Sequence, residues 1–329
     1  MALDADRRAG LERGRAIAIA RDAFDLDPEP ASIDASPFGV VVDDGGHVVI
    51  VSSSEDLAVL GGVLVWVGRN PRPQVDLVVE HHASIHARRA SVLAPSLSVH
   101  ELDGADVKPA VPTAISPPHE PPDDIVSLIA MIERAGAAAV TEDGIVRAEI
   151  AGLEIGRVVT GPTGSTLEVG VGRFDREAGA LLHADRAPEP TLVATLEQVV
   201  QHRHPGAVSH PINRIGRERW LRSIIVDDPM SVGCSRLELT EPVPPRTSLL
   251  ETRPAALVGV TSEGVSVLVV CTVGVDLGVV PEVADLLAVT GATAVKVAIP
   301  ERDQLPYLND LIELLPVPAE LVSIETPWS

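Results

Sequence analysis

Short apolar runs rich in valine alternate with acidic, glycine-containing turns along this chain, a pattern typical of β-hairpins. The turns lie at residues 43–46, 142–144 and 262–264, about 100 residues apart. Asp/Glu-Gly turns favour hairpins because the backbone there needs a positive φ. At least one helical pattern follows each hairpin. This order predicts an α/β protein of two or three βα modules with mixed sheets. The modules are either repeats of one ancestral unit or independent outcomes of the same turn chemistry.

Further elements follow from the spacing of apolar residues. The runs at 61–68 and 74–80 predict two additional strands near the N-terminus. Periodic apolar positions predict helices at 1–24, 81–93, 123–136, 175–184, 191–201, 217–226, 281–289 and 306–315.

Proline-rich stretches suggest the domain boundaries. Residues 104–122 hold six prolines, and residues 231–254 are also rich in proline, so neither stretch favours a continuous helix or a central strand. The predicted organisation is an N-terminal helix and linker (1–36), an N-terminal α/β module (37–103), a linker (104–122), a middle α/β module (123–230), a second linker (231–254) and a C-terminal α/β module (255–329).

Composition and charge narrow the choice of partners. Hydrophobic residues make up 45% of the chain but aromatic residues only 2%, and the formal net charge is -21. Such an acidic surface repels nucleic-acid phosphates, so we expect a protein or an anionic ligand as the partner. The longest apolar runs are too short to cross a bilayer, and the first residues do not read as a signal peptide. We therefore expect a cytoplasmic protein without a membrane partner.

Positive charge is concentrated in residues 201–222, where arginines gather in an otherwise acidic chain. The candidate anion-binding residues are Arg203, Arg214, Arg217, Arg219 and Arg222. A helix from Arg217 would place Arg219 and Arg222 on one side. Guanidinium groups bind carboxylate and phosphate through paired hydrogen bonds. The cluster therefore either pairs with carboxylates of neighbouring segments or contacts an anionic ligand or a nucleic-acid phosphate.

Three glutamates of the middle module, Glu149, Glu154 and Glu168, are weak candidates for a catalytic centre. With its helix, three strands and helix, this module is similar in layout to the restriction-endonuclease-like nuclease core. That resemblance implies strand carboxylates that bind a divalent metal and position water. The family's Glu-x-Lys is missing here, because Val169 and Gly170 follow Glu168. The resemblance therefore implies a core whose catalytic residues are degraded.

A second candidate for a metal site is the pair His82 and His86. On a helix, residues four apart share a face, so the two imidazoles would point at one ion. The sequence does not define the third ligand, for which Glu80, His47 and His100 are the candidates.

These observations support three hypotheses for the function. The first is a binding, regulatory or scaffold protein whose contact surface is the arginine stretch. The second is a metal-dependent, nuclease-like hydrolase that uses the three glutamates. The third is an enzyme acting on a small anion, with Arg214, Arg217 and Arg219 near the strand-to-helix turn at 274–278.

Overall fold

The computed structural model describes residues 5–26, 32–94, 97–182, 187–246 and 251–328. These residues form nine α-helices and fifteen strands, and the strands build three sheets, none of which closes into a barrel. The predicted mixed α/β class is thus confirmed. Residues 1–4, 27–31, 95–96, 183–186, 247–250 and 329 lie outside the described residues, and with them parts of every predicted domain segment except 104–122 and of the helices predicted at 1–24 and 175–184.

The elements run along the chain as follows. Residues up to 115 form α1 (Ala5–Phe24), β1 (Ile33–Ser36), β2 (Gly39–Asp43), β3 (His47–Ser52), α2 (Val59–Arg69), β4 (Gln74–Val79), α3 (Ala83–Ala90), β5 (Ser98–Asp103) and β6 (Asp106–Pro109). Residues 116–274 form α4 (Val126–Arg134), β7 (Ala138–Glu142), β8 (Ile145–Ile150), β9 (Leu153–Gly161), β10 (Gly164–Val169), α5 (Gly172–Leu182), α6 (Pro188–Val200), α7 (Arg217–Asp227), β11 (Cys234–Thr240), β12 (Ala255–Thr261) and β13 (Ser266–Cys271). The remaining elements are α8 (Val279–Thr290), β14 (Ala294–Pro300), α9 (Pro306–Ile312) and β15 (Ala319–Ile324).

The chain divides into two compact units. The first consists of Met1–Ile115, Val275–Val289 and Leu305–Glu320, and the second of Ser116–Gly274, Thr290–Gln304 and Leu321–Ser329. The chain therefore returns to the first unit twice after leaving it.

The first unit contains a six-stranded sheet in the order β1-β2-β3-β4-β5-β6. The predicted hairpin at 43–46 joins β2 to β3, and β3, β4 and β5 run parallel. Helix α1 packs on this sheet through Ala16, Ile19 and Ala20. Parallel strands require crossover connections, which α2 and α3 supply.

The predicted strand at 61–68 is wrong, because these residues belong to helix α2. An uninterrupted apolar run fits a buried strand and a buried helix equally well, so periodicity does not separate them. Seven of the eleven residues of α2 are buried. Gly61 explains how the helix packs: a Cβ built there would lie 1.6 Å from the carbonyl oxygen of Leu277.

The second unit contains the other two sheets. One is an antiparallel meander in the order β10-β9-β8-β7, and the other has the order β11-β12-β13-β14-β15. The predicted hairpins at 142–144 and 262–264 join β7 to β8 and β12 to β13. Residues 231–254, predicted as a linker, contain β11, which pairs with β12 at the edge of its sheet.

No helix in the described part of the chain is both long and apolar enough to cross a membrane.

The close approach at Gly61 yields a test of how α2 packs. We expect Gly61→Ala to lower the free energy of unfolding by about 1–3 kcal/mol, because the added methyl overlaps the Leu277 carbonyl and the backbones must separate. Gly68→Ala is the matched control. No atom lies within 4 Å of the Cβ position at Gly68, so alanine should stabilise α2 by up to about 1 kcal/mol. Urea denaturation measures the free energy of unfolding of both variants. Equal changes in the two variants would contradict the close packing of α2 at Gly61.

Candidate functional site

Helix α7, which contains most of the predicted arginine cluster, is fixed at its N-terminal end by the turn between β8 and β9. Ala151 and Gly152 form this turn with positive φ angles of 46° and 71°. A Cβ at Gly152 would lie 2.2 Å from the carbonyl carbon of Arg219, so the turn touches the helix backbone. This contact brings Arg219 over the four-stranded sheet.

The two faces of that sheet differ in character. One face packs Val146, Ala148 and Leu153 into an apolar core with α4 and α6. The other face is charged, because residues that are partners in register share a face. The charged face carries Glu142, Arg147, Glu149, Glu154, Arg157 and Glu168.

A β-bulge in β9 produces part of this charged face. Gly156 pairs with Ala148 and Glu154 pairs with Glu149, so Ile155 is an extra residue in β9. Glu154 and Arg157 are three residues apart and would point to opposite faces of a regular strand. The bulge keeps them on one face, where Arg157 donates two hydrogen bonds of 3.0 Å to the Glu154 carboxylate.

Buried ion pairs cover the charged face. Glu149 accepts hydrogen bonds from Arg219 Nη1 at 2.9 Å and from Arg222 Nη2 at 3.3 Å. Within 4 Å, Glu142, Glu149 and Glu154 meet six guanidinium groups, those of Arg147, Arg157, Arg176, Arg219, Arg222 and Arg246. Six positive charges thus face three negative charges, an excess of three among the groups in direct contact.

The pKa values reflect this excess. Burial lowers the pKa of Arg246 to about 10, and the positive charges of Arg219 and Arg222 contribute to the shift. Burial also raises the pKa of the Glu218 carboxyl, against the lowering effect of Arg246 and Arg219. For Glu142, burial favours the neutral carboxyl, but Arg246 and Arg147 outweigh it and lower the pKa.

A groove of about 650 Å³ opens beside this cluster. Its walls come from β7, from the end of β8 and its turn, from α7 and from β11. Apolar lining residues are Ala138, Val140, Ile150, Trp220, Ile224, Val226 and Leu239. The volume lies within the range of ligand-binding pockets, roughly 300–1,000 Å³.

Arg219 and Arg222 also line the groove, although their side chains are only 3% exposed. Among the described residues, Arg219 forms its hydrogen bond through Nη1 and Arg222 through Nη2. Nε and Nη2 of Arg219 and Nε of Arg222 form no hydrogen bond in that part of the chain, and Nη1 of Arg222 lies 3.7 Å from a carboxylate oxygen of Glu142. An anion in the groove would supply acceptors for such donors, and charge-assisted hydrogen bonds are the stronger kind.

Comparison of the chain with protein-family models, with curated proteins and with solved structures found no match.

The other arginines of the predicted cluster have different roles. Arg203 is buried, and its guanidinium donates hydrogen bonds to the carbonyl groups of Ala151, Ile212, Ile215 and Gly216. It also lies 4.3 Å from the ring centre of Trp220, and its burial lowers its pKa to about 9. Arg217 is half-buried and bonds the Asn213 carbonyl, while Arg214 is exposed. Of the five predicted arginines, Arg219 and Arg222 thus bind a carboxylate, line the groove and keep donors without a hydrogen bond in the described residues.

Two of the three glutamates predicted to bind a metal form ion pairs with arginines, and the third lies outside the ion-pair cluster. Glu149 binds two guanidinium groups and Glu154 binds three, whereas Glu168 is half-buried without an ion pair within the described ranges. A guanidinium occupies the lone pairs that a metal would need. No group of three or more His, Cys, Asp or Glu side chains that could hold a metal ion occurs in the described residues.

The spacing argument for His82 and His86 does not hold, because α3 begins at Ala83 and His82 precedes it with a left-handed φ of 57°. His82 is exposed, whereas His86 is completely buried. Neither ring nitrogen of His86 has a hydrogen-bond partner among the described residues. Burial, with the nearby positive charges of Arg89 and His82, lowers its pKa from 6.5 to about 4.

Sequence reasoning missed several members of the ion-pair cluster. Glu142 and Arg246 are 104 residues apart, and their hydrogen bond of 2.9 Å joins a hairpin turn to a segment predicted as a linker. Arg147 and Arg176 were also missed. The available signal was alternation along β8, which places Arg147 and Glu149 on one face.

The ion pairs of Glu149 can be tested by removing its charge. Glu149→Gln leaves Arg219 and Arg222 buried with weakened pairing, so we expect the free energy of unfolding to fall by about 3–5 kcal/mol. Glu177→Gln, in the exposed pair with Arg173, is the control and should cost no more than about 1 kcal/mol. Urea denaturation at neutral pH measures both. A loss at Glu149 no larger than that at Glu177 would contradict a stabilising role for the pair.

The burial of His86 predicts a pH dependence of stability. Between pH 4 and 6.5 the unfolded chain binds a proton at this residue and the folded chain does not. Stability is therefore complete above pH 6.5 and falls by about 3 kcal/mol as the pH drops towards 4. His86→Leu should remove this part of the slope, while His204→Leu, at an exposed position, serves as the control. Denaturation curves across this pH range would refute the prediction if His86→Leu kept the slope of the parent chain.

Proposed function

We propose that this protein is a binding protein whose groove beside α7 holds a ligand with an anionic head group and an apolar body. The observation that carries the proposal is the position of Arg219 and Arg222. Both guanidinium groups are buried, both line the groove, and both keep donors that no acceptor in the described residues uses. A carboxylate or phosphate would supply the missing acceptors.

Electrostatics supports this proposal. Glu149, together with Glu142, outweighs burial and raises the pKa of Arg219, so its guanidinium remains charged. Of the cluster, Arg219 and Arg222 line the groove and share the one carboxylate of Glu149, which leaves positive charge at its base. In such a low-dielectric setting, a charge-assisted hydrogen bond is stronger than it is in water.

The remainder of the groove favours an apolar ligand body. Val226 and Leu239 are large apolar residues that remain 40% and 47% exposed there. Burial of such side chains by a ligand contributes roughly 25 cal/mol for each Å² removed from water. The head group would thus provide specificity and the body most of the affinity.

This proposal favours the binding hypothesis over the nuclease-like hydrolase. A hydrolase would require Glu149 and Glu154 to exchange their guanidinium partners for a metal ion. Their ion pairs, from 2.7 Å to 3.3 Å in length, support a structural role for these carboxylates. The small-anion enzyme has less support, because Arg214 is exposed and Arg217 binds a backbone carbonyl.

The anion site can be tested with simple amphiphiles of equal chain length. We expect decanoate, below its critical micelle concentration, to change the tryptophan fluorescence and raise the melting temperature, because Trp220 lines the groove. Decanol and decyltrimethylammonium are the neutral and cationic controls. Since charge-assisted bonds contribute about 1.5–3 kcal/mol, decanoate should bind at least about tenfold more tightly than either control.

Variants at Ala138 assign the binding to this groove. Ala138 is exposed, lines the groove and lies opposite Glu149 in register. Ala138→Glu adds a carboxylate that competes for Arg219 and Arg222, so decanoate affinity should fall at least about tenfold. Ala138→Gln adds similar bulk without the charge and should retain most of the affinity. Equal binding of decanoate and decanol, or equal effects of the two variants, would refute the anion site.

A further inference from the structure

The groove contains an unpaired sheet edge as well as an anion site. Strand β7 is the last strand of the order β10-β9-β8-β7. Apart from its pairing with β8, the backbone of residues 138–141 forms no hydrogen bond within the part of the chain that the structure describes. Gly136, Ala138 and Val140 line the groove, so this edge borders the cavity.

The opposite edge of the same sheet is protected, whereas the outer backbone edge of β7 has no such partner in the described residues. On β10, the backbone N–H of Ser165 donates to the Asp124 carboxylate at 2.8 Å, and the Ser165 hydroxyl donates to it at 2.6 Å. Natural sheets commonly protect their edges with charged residues or proline. Residues 138–141 have the sequence Ala-Ala-Val-Thr, without charge or proline. An edge of this kind is suited to pairing with an added strand.

We infer, resting on the proposed anion site, that the ligand is the C-terminal segment of another protein, which adds as a strand to β7 and places its terminal carboxylate on Arg219 and Arg222. Main-chain hydrogen bonds to the free edge would provide affinity without regard to sequence. The two guanidinium groups would select a chain terminus over an internal segment.

Register fixes the direction of the added strand. Arg219 and Arg222 bind Glu149, and Glu149 lies opposite Ala138, the first residue of β7. A peptide whose last residue lies at this position must run antiparallel to β7. Its alternate side chains then point into the groove, towards the apolar surface that includes Val226 and Leu239.

Charge at the rim indicates which peptides fit. Asp227 and Glu325 line the groove, are exposed and form no ion pair within the described ranges. These acids favour lysine or arginine upstream of the terminus, as does the net charge of -21. The expected ligand therefore has apolar residues at its last and third-last positions and a basic residue before them.

The first experiment uses two libraries of synthetic octapeptides with the last six positions randomised. One library has free C-terminal carboxylates and the other is amidated. The full-length protein should enrich peptides from the first library only, with valine, leucine or isoleucine at the last and third-last positions and a basic residue upstream. Equal enrichment from both libraries would overturn the carboxylate contact.

The second experiment uses the most enriched peptide as a fluorescent probe. Its free acid should bind at least about tenfold more tightly than its amide, since each tenfold step reflects one charge-assisted contact. Backbone N-methylation, scanned along the peptide, should weaken binding at every second residue, because alternate N–H groups of a strand face its partner. Uniform effects of N-methylation would exclude strand addition.

Variants separate this inference from the anion site itself. Ala138→Glu should abolish binding of the peptide, Ala138→Gln should retain it, and circular dichroism with a melting curve confirms that both variants fold. Decanoate should displace the peptide. One outcome would refute the peptide ligand and support the anion site: decanoate binds, Ala138→Glu weakens this binding and Ala138→Gln does not, but neither peptide library is enriched. If neither probe binds, both proposals fail.

Discussion

The second unit depends on a buried layer in which guanidinium groups outnumber the carboxylates that bind them. Helix α7 joins this layer to the rest of the unit. Arg219 and Arg222 extend to the charged face of the four-stranded sheet, while Leu221 and Ile225 pack into the apolar core of the five-stranded sheet. Removing so many charges from water is costly, and the cost is offset only where the hydrogen bonds are well made. The position of the helix is therefore set by hydrogen-bond geometry as well as by apolar contact.

A local positive site in an acidic protein has consequences for how ligands arrive. The net charge of -21 produces a negative field at long range, which opposes a small free anion approaching the surface. Arg219 and Arg222 act only at short range, after the ligand has entered the groove. A ligand with positive charge elsewhere would be attracted first and bound through its anionic end afterwards. Long-range and short-range electrostatics thus select for different parts of one molecule.

The sequence predicted those features that depend on neighbouring residues. The three hairpins, the helix after Gly216 and the sharing of a face by Arg219 and Arg222 all follow from local turn chemistry and helical spacing. The same reasoning failed for α2, since an apolar run reports burial and not the type of element. Reasoning from the sequence suggested that the arginines pair with carboxylates, but it did not identify which carboxylates. Glu149 and Arg219 are 70 residues apart, and only the tertiary fold brings them together.

The bulge at Ile155 shows that paired charges in this sheet must lie on the same face, whereas the number of residues between them in the sequence can differ. Glu154 and Arg157 meet because one additional residue shifts the alternation between them. A related chain without that residue would keep both side chains on the same face through an ordinary ladder. The interval between acid and base is therefore free to vary by one in evolution. Homologues of this unit would be recognised by the side of the sheet on which their charges lie, and a motif of fixed length would miss them.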